Sequence, residues 1–248
     1  KVALIGRNTA RLEEVSKEIR LAGGQSDLWR MDVSREQEVA DSVREITNLW
    51  GRIDVLVNSA GLNIPKRRWR DIEAEGWHQV VDVDLNGAFY CSHAALRIMR
   101  EQRDGLIINI SSIAGRTSLS KEMLLNFTPP GYGAMKAALI SYTQTLAESL
   151  GTDNINVNAV CPGIVWTDAW LRNAERAVKN IDEFKGTDAR QWFEGIFRDD
   201  YPSIFDRTPL KREQTVEDIG NAVRFLVTDE SMNITGQSLM VDGGMVKL

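Results

Sequence analysis

Short apolar runs of strand length alternate along the chain with stretches whose apolar residues recur every three or four positions. The runs are Val2 to Ile5, Leu28 to Val33, Ile53 to Val57, Leu106 to Ile110, Ile155 to Val160 and Ser238 to Val241. Each has the length and content of a buried strand. Between them Leu12, Val15 and Ile19, and then Val39, Val43, Ile46 and Trp50, share one face of a helix. Ser34-Arg-Glu-Gln37 carries the residue types of a capping box at the start of the second of these helices. Thr215-Val-Glu-Asp218 opens a last helix, whose buried face holds Ile219, Val223 and Leu226. Strands alternating with helices predict βαβ units, and hence a doubly wound parallel α/β sheet covered on both faces.

Residues 166 to 214 break the alternation. They contain no good strand, but carry Trp166, Trp170, Phe184, Trp192, Phe193, Phe197, Tyr201 and Phe205 among many charges. Short helices forming a lid are expected, with the aromatic residues lining a substrate pocket or forming the lid's own core. No internal repeat or linker divides the chain, and 248 residues with 43% hydrophobic content suffice for one core, so residues 1–248 are read as a single domain.

Charge and rare residues narrow the chemistry. A net charge of -5 gives no general attraction for phosphate backbones or anionic membranes, so neither nucleic acid nor a membrane is expected as a partner. Cys91 and Cys161 lie far apart without a CxxC or Cys/His cluster, and both are read as small buried hydrophobes rather than as metal ligands or a disulfide. His78 and His93 have no acid or cysteine at ligand spacing and are read as structural or solvated. No apolar run approaches a membrane span and no leader opens the chain, so a cytoplasmic location is expected.

The chemistry-bearing motif is Tyr132-Gly-Ala-Met-Lys136, which sets a phenol and an ammonium one helical turn apart on one face. Pro129-Pro-Gly131 just before it suits a sharp entry into that helix. A free phenol is a poor acid or base at neutral pH, and a nearby ammonium favours its anion, which makes Tyr132 a usable general acid and base. Ser112 follows the strand ending at Ile110, on the edge of a parallel sheet where ligands bind, and its hydroxyl can hold the oxygen that Tyr132 serves. Asn58-Ser-Ala-Gly61 follows the strand ending at Val57, so Asn58, Ala60 and Gly61 are placed along the same crevice.

Taken together, Asn58-Ser-Ala-Gly61, Asn109-Ile-Ser-Ser-Ile-Ala-Gly115, Tyr132-Gly-Ala-Met-Lys136, Pro162-Gly163 and Val241-Asp-Gly-Gly244 resemble the short-chain dehydrogenase/reductase family throughout the chain except in the lid. The resemblance implies a Rossmann-type fold and hydride transfer between NADP or NAD and a secondary alcohol or ketone. It makes Tyr132 the acid/base, Lys136 the holder of the nicotinamide ribose, and Ser112 the residue that orients the carbonyl, with Ser111 structural. Ile164 and Thr167, after Pro162 and Gly163, are implied beside the nicotinamide carboxamide. A homotetramer or homodimer is implied, built through the helices around residues 77 to 102 and 132 to 151. Asp242-Gly-Gly244 is read as a turn near the C-terminal subunit interface.

Two departures qualify the resemblance. The family carries an Asn where Val81-Asp-Val-Asp-Leu-Asn-Gly87 places Asp84, so Asp84 becomes a candidate catalytic member, with Asn86 on another side of the helix. The family's TGxxxGxG loop, which cradles a pyrophosphate, has no counterpart before Val57, and a strand, loop and helix of about 30 residues are expected ahead of Lys1. Val2 to Ile5 then corresponds to the family's second strand, and Arg7 and Asn8 follow the tip that meets the adenosine ribose. An Arg there pairs with a 2′-phosphate, which favours NADP over NAD. Asp32 and Val33 are implied beside the adenine, Asp32 with a helix cap as its other reading. The competing functional class is a non-catalytic dinucleotide-binding remnant or sensor on the same fold, and an isomerase or dehydratase is a third reading.

Overall fold

The protein is described from a computed structural model, which covers residues 1–62, 74–120, 123–124, 127–128, 131–201 and 208–247. Its strands are β1 (Val2–Gly6), β2 (Ser26–Arg30), β3 (Val55–Asn58), β4 (Gly105–Ile110), β5 (Ile155–Pro162) and β6 (Ser238–Val241). The helices between them are α1 (Thr9–Leu21), α2 (Glu36–Trp50), α3 (Ala74–Val81), α4 (Gly87–Gln102) and α5 (Tyr132–Leu150). Helices α6 (Asp168–Asn180), α7 (Ala189–Phe197) and α8 (Val216–Leu226) follow β5. All strand pairings are parallel, as the alternation predicts.

The ladder is in two parts: β1 pairs with β2, and β3, β4, β5 and β6 pair in that order. The two parts share one apolar cluster, in which Ile5 and Val33 meet Leu56 around Met31, Val39, Val43 and Cys91. Along β4 the side chains alternate as the period of two requires. Ile107 packs with Ala95, Leu96 and Met99 of α4 and Ala147 and Leu150 of α5, while Ile108 packs with Leu226, Ile219 and Val223 of α8. Both faces are therefore helix-covered, which is why these strands tolerate continuous apolar runs.

Two local expectations need correction. The second run forms β2 over Ser26–Arg30 rather than Leu28 to Val33; Met31 N still donates to Gly6 O at 3.1 Å, and beyond that bond the chain turns toward α2, with Met31 and Val33 packed in the cluster of Val39, Val43 and Cys91. The expected capping box at Ser34 does not form: the N-cap of α2 is Arg35, without a side-chain bond, and Ser34 instead donates from N and Oγ to Asp32 at 3.0 and 2.8 Å. The box at Thr215 does form, with Asp218 N donating to Thr215 Oγ1 and Thr215 N donating back to Asp218.

The lid is helical as expected, through α6 and α7. Its aromatic residues divide between the two expected roles. Phe184, Trp192, Phe193 and Phe197 are buried in a core of the lid's own, with Trp166 and Tyr201 against it, whereas Trp170 also faces the cleft below. Phe205 and the Pro129-Pro130 pair lie outside the described residues. No helix among those described is long and apolar enough to cross a membrane. Cys91 and Cys161 are both free and buried, and burial pushes the Cys91 thiol up to about 11.

Candidate active site

The carboxyl ends of β3, β4 and β5 open into one cleft of about 540 Å³, lined by Gly61, Ser112, Tyr132, Lys136, Pro162, Gly163, Ile164 and Thr167. Its floor is set by α5. Gly131, the N-cap of that helix, has φ 83°, and a Cβ there would come within 2.7 Å of the Trp77 ring. Only glycine meets both demands at once. Gly115 serves the other side of the contact, since a Cβ on it would lie 2.6 Å from the Lys136 carbonyl carbon. The turn after β4 thus packs directly on the first turns of α5, so that Ser112 and the Tyr132/Lys136 face border one cavity.

The two serines separate as expected. Ser111 is buried and donates to the Lys136 carbonyl oxygen at 2.8 Å, tying β4 to α5. Ser112 lines the cleft and caps a short turn by accepting from Ala114 N at 3.2 Å. Lys136, on the same face of α5 as Tyr132, is 4% exposed. Its Nζ donates to the Ile110 carbonyl at 3.1 Å and lies 5.5 Å from the centre of the Tyr132 ring.

The sequence did not disclose how Lys136 is held. Asp84 sits in a π-helical turn, Asp82–Asn86, and its Oδ2 is 3.4 Å from Lys136 Nζ, while its Oδ1 accepts from Leu62 N at 2.7 Å. Burial pushes the Asp84 carboxyl up, against the opposing pull of the Lys136 charge and the Leu62 hydrogen bond. Asn86 faces elsewhere, donating to Asp82 on the exposed side of the turn. A contact between positions 84 and 136 has no local sequence signal, because the chain reaches it only through the fold.

Other expected site residues are placed differently from one another. Thr167 lines the cleft and caps α6 by accepting from Trp170 N at 3.4 Å, and Ile164 is 2% exposed on the cleft wall. Asn58 turns inward: its amide donates to Asn109 and Ser92, and Asn109 donates to Thr143, a buried polar chain joining β3, β4, α4 and α5. Its side chain is structural, and neither Asn58 nor Ala60 lines the cleft. Val33 packs on Gly87 at the start of α4, and Asn8 caps α1 by accepting from Arg11 N at 3.2 Å. Arg7, at the end of β1, lies 3.6 Å from Asp32 across the surface. Arg7, Asn8, Asp32 and Val33 stand outside the cleft.

The reading of the sequence also missed one wall. Leu119, Met123 and Phe127 line the cleft, together with Trp170 and Asn173 of α6. Their four-residue spacing was the available signal, in a stretch to which the sequence pattern assigned no element.

Comparison with known proteins finds similarity along nearly the whole chain. The family model described as enoyl-(acyl carrier protein) reductase matches residues 1–246. The 3-oxoacyl-(acyl-carrier-protein) reductase of Synechocystis sp. is 33% identical over 242 residues, covering 97% of this chain and 84% of that protein. Among solved structures, L-sorbose reductase from Gluconobacter frateurii, complexed with NADPH and L-sorbose, superposes with a TM-score of 0.85 at 26% identity, covering 99% of this chain and 87% of that one. An NAD+-bound xylitol dehydrogenase superposes with a TM-score of 0.81 at 29% identity, covering 98% and 88%.

Proposed function

Because the chain belongs to the short-chain dehydrogenase/reductase family, whose members are NAD(P)-dependent oxidoreductases, we propose that it interconverts a secondary alcohol and its ketone with NADP(H) or NAD(H). The observation that carries this reading is the convergence of Ser112, Tyr132 and Lys136 on one cleft that also holds apolar residues such as Leu119, Met123 and Trp170. A pocket of this size with few convergent polar groups suits a small polar carbon centre rather than a macromolecule.

The residues present fit a dinucleotide. Lys136 offers an ammonium at the floor, Thr167 a hydroxyl, and Gly61 borders the cleft without a side chain of its own, while Arg7 supplies a cation on the surface outside the cleft. Bound there, the nicotinamide would donate or accept the hydride. Ser112 holds the substrate oxygen by its hydroxyl, and Tyr132 delivers a proton to that oxygen in reduction or removes it in oxidation. The Lys136 ammonium binds the ribose hydroxyls. Trp170 of the lid stacks on Phe127 at 6.0 Å between centroids, at the side of the cleft.

For the cofactor, Arg7 favours NADP(H). Its side chain is 62% exposed, and a solvent-screened contact with Asp32 yields readily to a phosphate that Arg can bind through two hydrogen bonds. A homodimer or homotetramer is proposed on family grounds, with Phe89, 46% exposed on α4, in the helical surface expected to pair. The substrate is taken to be a small ketone or polyol with an apolar flank, set against Leu119, Met123 and Trp170.

The test follows the absorbance change of NADPH and NADH oxidation against a panel of sugars, diketones, acyl thioesters and steroids. Turnover with at least one ketone is expected, faster with NADPH. Tight dinucleotide binding without oxidation of any member would replace this reading with a sensing role.

A further inference from the structure

We propose that Asp84 is a positioning residue, whose carboxylate clamps the Lys136 ammonium and the Leu62 backbone together beneath the cleft, so that this chain orients its lysine with a buried counter-charge. The proposal rests on the oxidoreductase reading, since only there does the placement of Lys136 bear on chemistry.

Asp84 is 1% exposed, and its two oxygens have separate partners. Oδ1 takes the Leu62 N–H at 2.7 Å; Oδ2 accepts no hydrogen bond and faces the ammonium at 3.4 Å. The ammonium is braced from another side by the Ile110 carbonyl at 3.1 Å. Four segments therefore meet at one point: the chain after β3, the end of β4, the π turn and the first turn of α5. The π turn supplies the reach, because Gly87 N bonds to Asp82 O five residues back and the widened ring turns Asp84 inward, while half-buried Asn86 donates to exposed Asp82. A Cβ on Gly61 would lie 3.6 Å from Asp84 Oδ2 and 3.7 Å from Lys136 Nζ, so both charges sit directly under the backbone that borders the cleft.

A buried ammonium is costly without a partner, and a flexible four-carbon stem does not fix its own head group. The carboxylate answers both needs. It neutralises the charge and restricts Nζ to one place, and a neutral amide at position 84 could do neither while still accepting from Leu62.

That difference defines the experiment. Asp84→Asn keeps the shape and the Leu62 hydrogen bond but deletes the charge, and Asp84→Ala deletes both. In Asp84→Asn, kcat should fall about tenfold, a typical loss for a charged hydrogen-bonding partner, while the dinucleotide KM stays within about twofold. In Asp84→Ala the dinucleotide Kd, read by tryptophan fluorescence, should rise as well, because Leu62 is released. The direct readout is the proton spectrum of 15N-labelled lysine: wild-type protein should give a slowly exchanging Lys136 Nζ signal at neutral pH, assigned by its loss in Lys136→Met and broadened away in Asp84→Asn. A wild-type spectrum without that signal overturns the proposal regardless of how the variants fold, and so does Asp84→Asn with unchanged signal and kcat. Failure of the oxidoreductase reading has a different signature, namely the protected signal present in a protein that oxidises no dinucleotide.

Discussion

Two carboxylate-to-cation pairs of nearly equal length stand at opposite ends of the expected dinucleotide path. Lys136 and Asp84 are 3.4 Å apart with side chains 5% and 0% exposed, and Arg7 and Asp32 are 3.6 Å apart with side chains 62% and 26% exposed. Their surroundings act in opposite senses. Burial pushes the Asp84 carboxyl up; at Asp32 burial also acts upward, but hydrogen bonds from Ser34 and the charges of Arg7 and Arg35 outweigh it and hold the carboxyl below its ordinary range. Separation alone therefore says little about an ion pair. The inner pair cannot exchange either member for water and so serves to fix geometry, whereas the outer pair can give up its partner to a ligand.

The sharpest way to break the comparison is to remove one cation from each pair. Lys136→Met leaves Asp84 buried alone and should cost about 3 kcal/mol in urea unfolding. The sign of its pH dependence follows from the raised Asp84 value: a carboxyl easier to protonate in the folded state favours folding below its unfolded value and loses that contribution as pH rises through the folded one. The deficit of Lys136→Met should accordingly be larger at pH 8 than near pH 4, and a pH-independent deficit would show that Asp84 is not the group left stranded. Arg7→Ala, the matching change outside, should leave stability within about 0.5 kcal/mol. Its effect should fall on the cofactor instead, raising the NADPH KM on the order of tenfold with little change for NADH, since hydrogen bonds to a charged group are worth about 1.5–3 kcal/mol. Equal losses with both cofactors would place the 2′-phosphate elsewhere.

The smallest effect belongs to Asp32→Asn. Because the Asp32 value is lowered in the fold, its contribution is present above the unfolded carboxylate range and fades as pH falls through the folded value. Solvent screening keeps that contribution under about 1 kcal/mol at neutral pH. Thermal melts of wild type and variant should differ slightly at pH 7 and converge in acid, and divergence in acid would reverse the sign assigned here.

The same contrast explains which parts were legible in the sequence. Strands β1 and β3 to β6, the parallel pairing and the placement of Ser112, Tyr132 and Lys136 follow from local periodicity and from which strand ends face the crevice. The capping box at Thr215 was readable because both its partners lie within one turn, while the residue types at Ser34 to Gln37 misled because Asp32 competes for the Ser34 donors. Position 84 was marked by its departure from the family's Asn, but its ion pair depends on a π turn and on a helix about fifty residues away, neither of which has a signature in the local pattern. Asn58 was assigned to the cofactor from its position at a strand end, and only the fold reveals that its amide is consumed by Asn109 and Ser92. The cleft wall of Leu119, Met123 and Phe127 was overlooked for a different reason, because it lies on no strand end or motif and only the fold brings it to the cleft.

Tyr132→Phe tests the central claim most directly, because it removes one oxygen from the cleft and nothing from the ion pair below it. The measurement is steady-state NADPH oxidation with the best ketone substrate, alongside the NADPH Kd by fluorescence on the same preparation. The account predicts a loss of kcat by at least about two orders of magnitude with Kd within about twofold of wild type. Wild-type turnover in that variant would contradict it and remove Tyr132 from the chemistry.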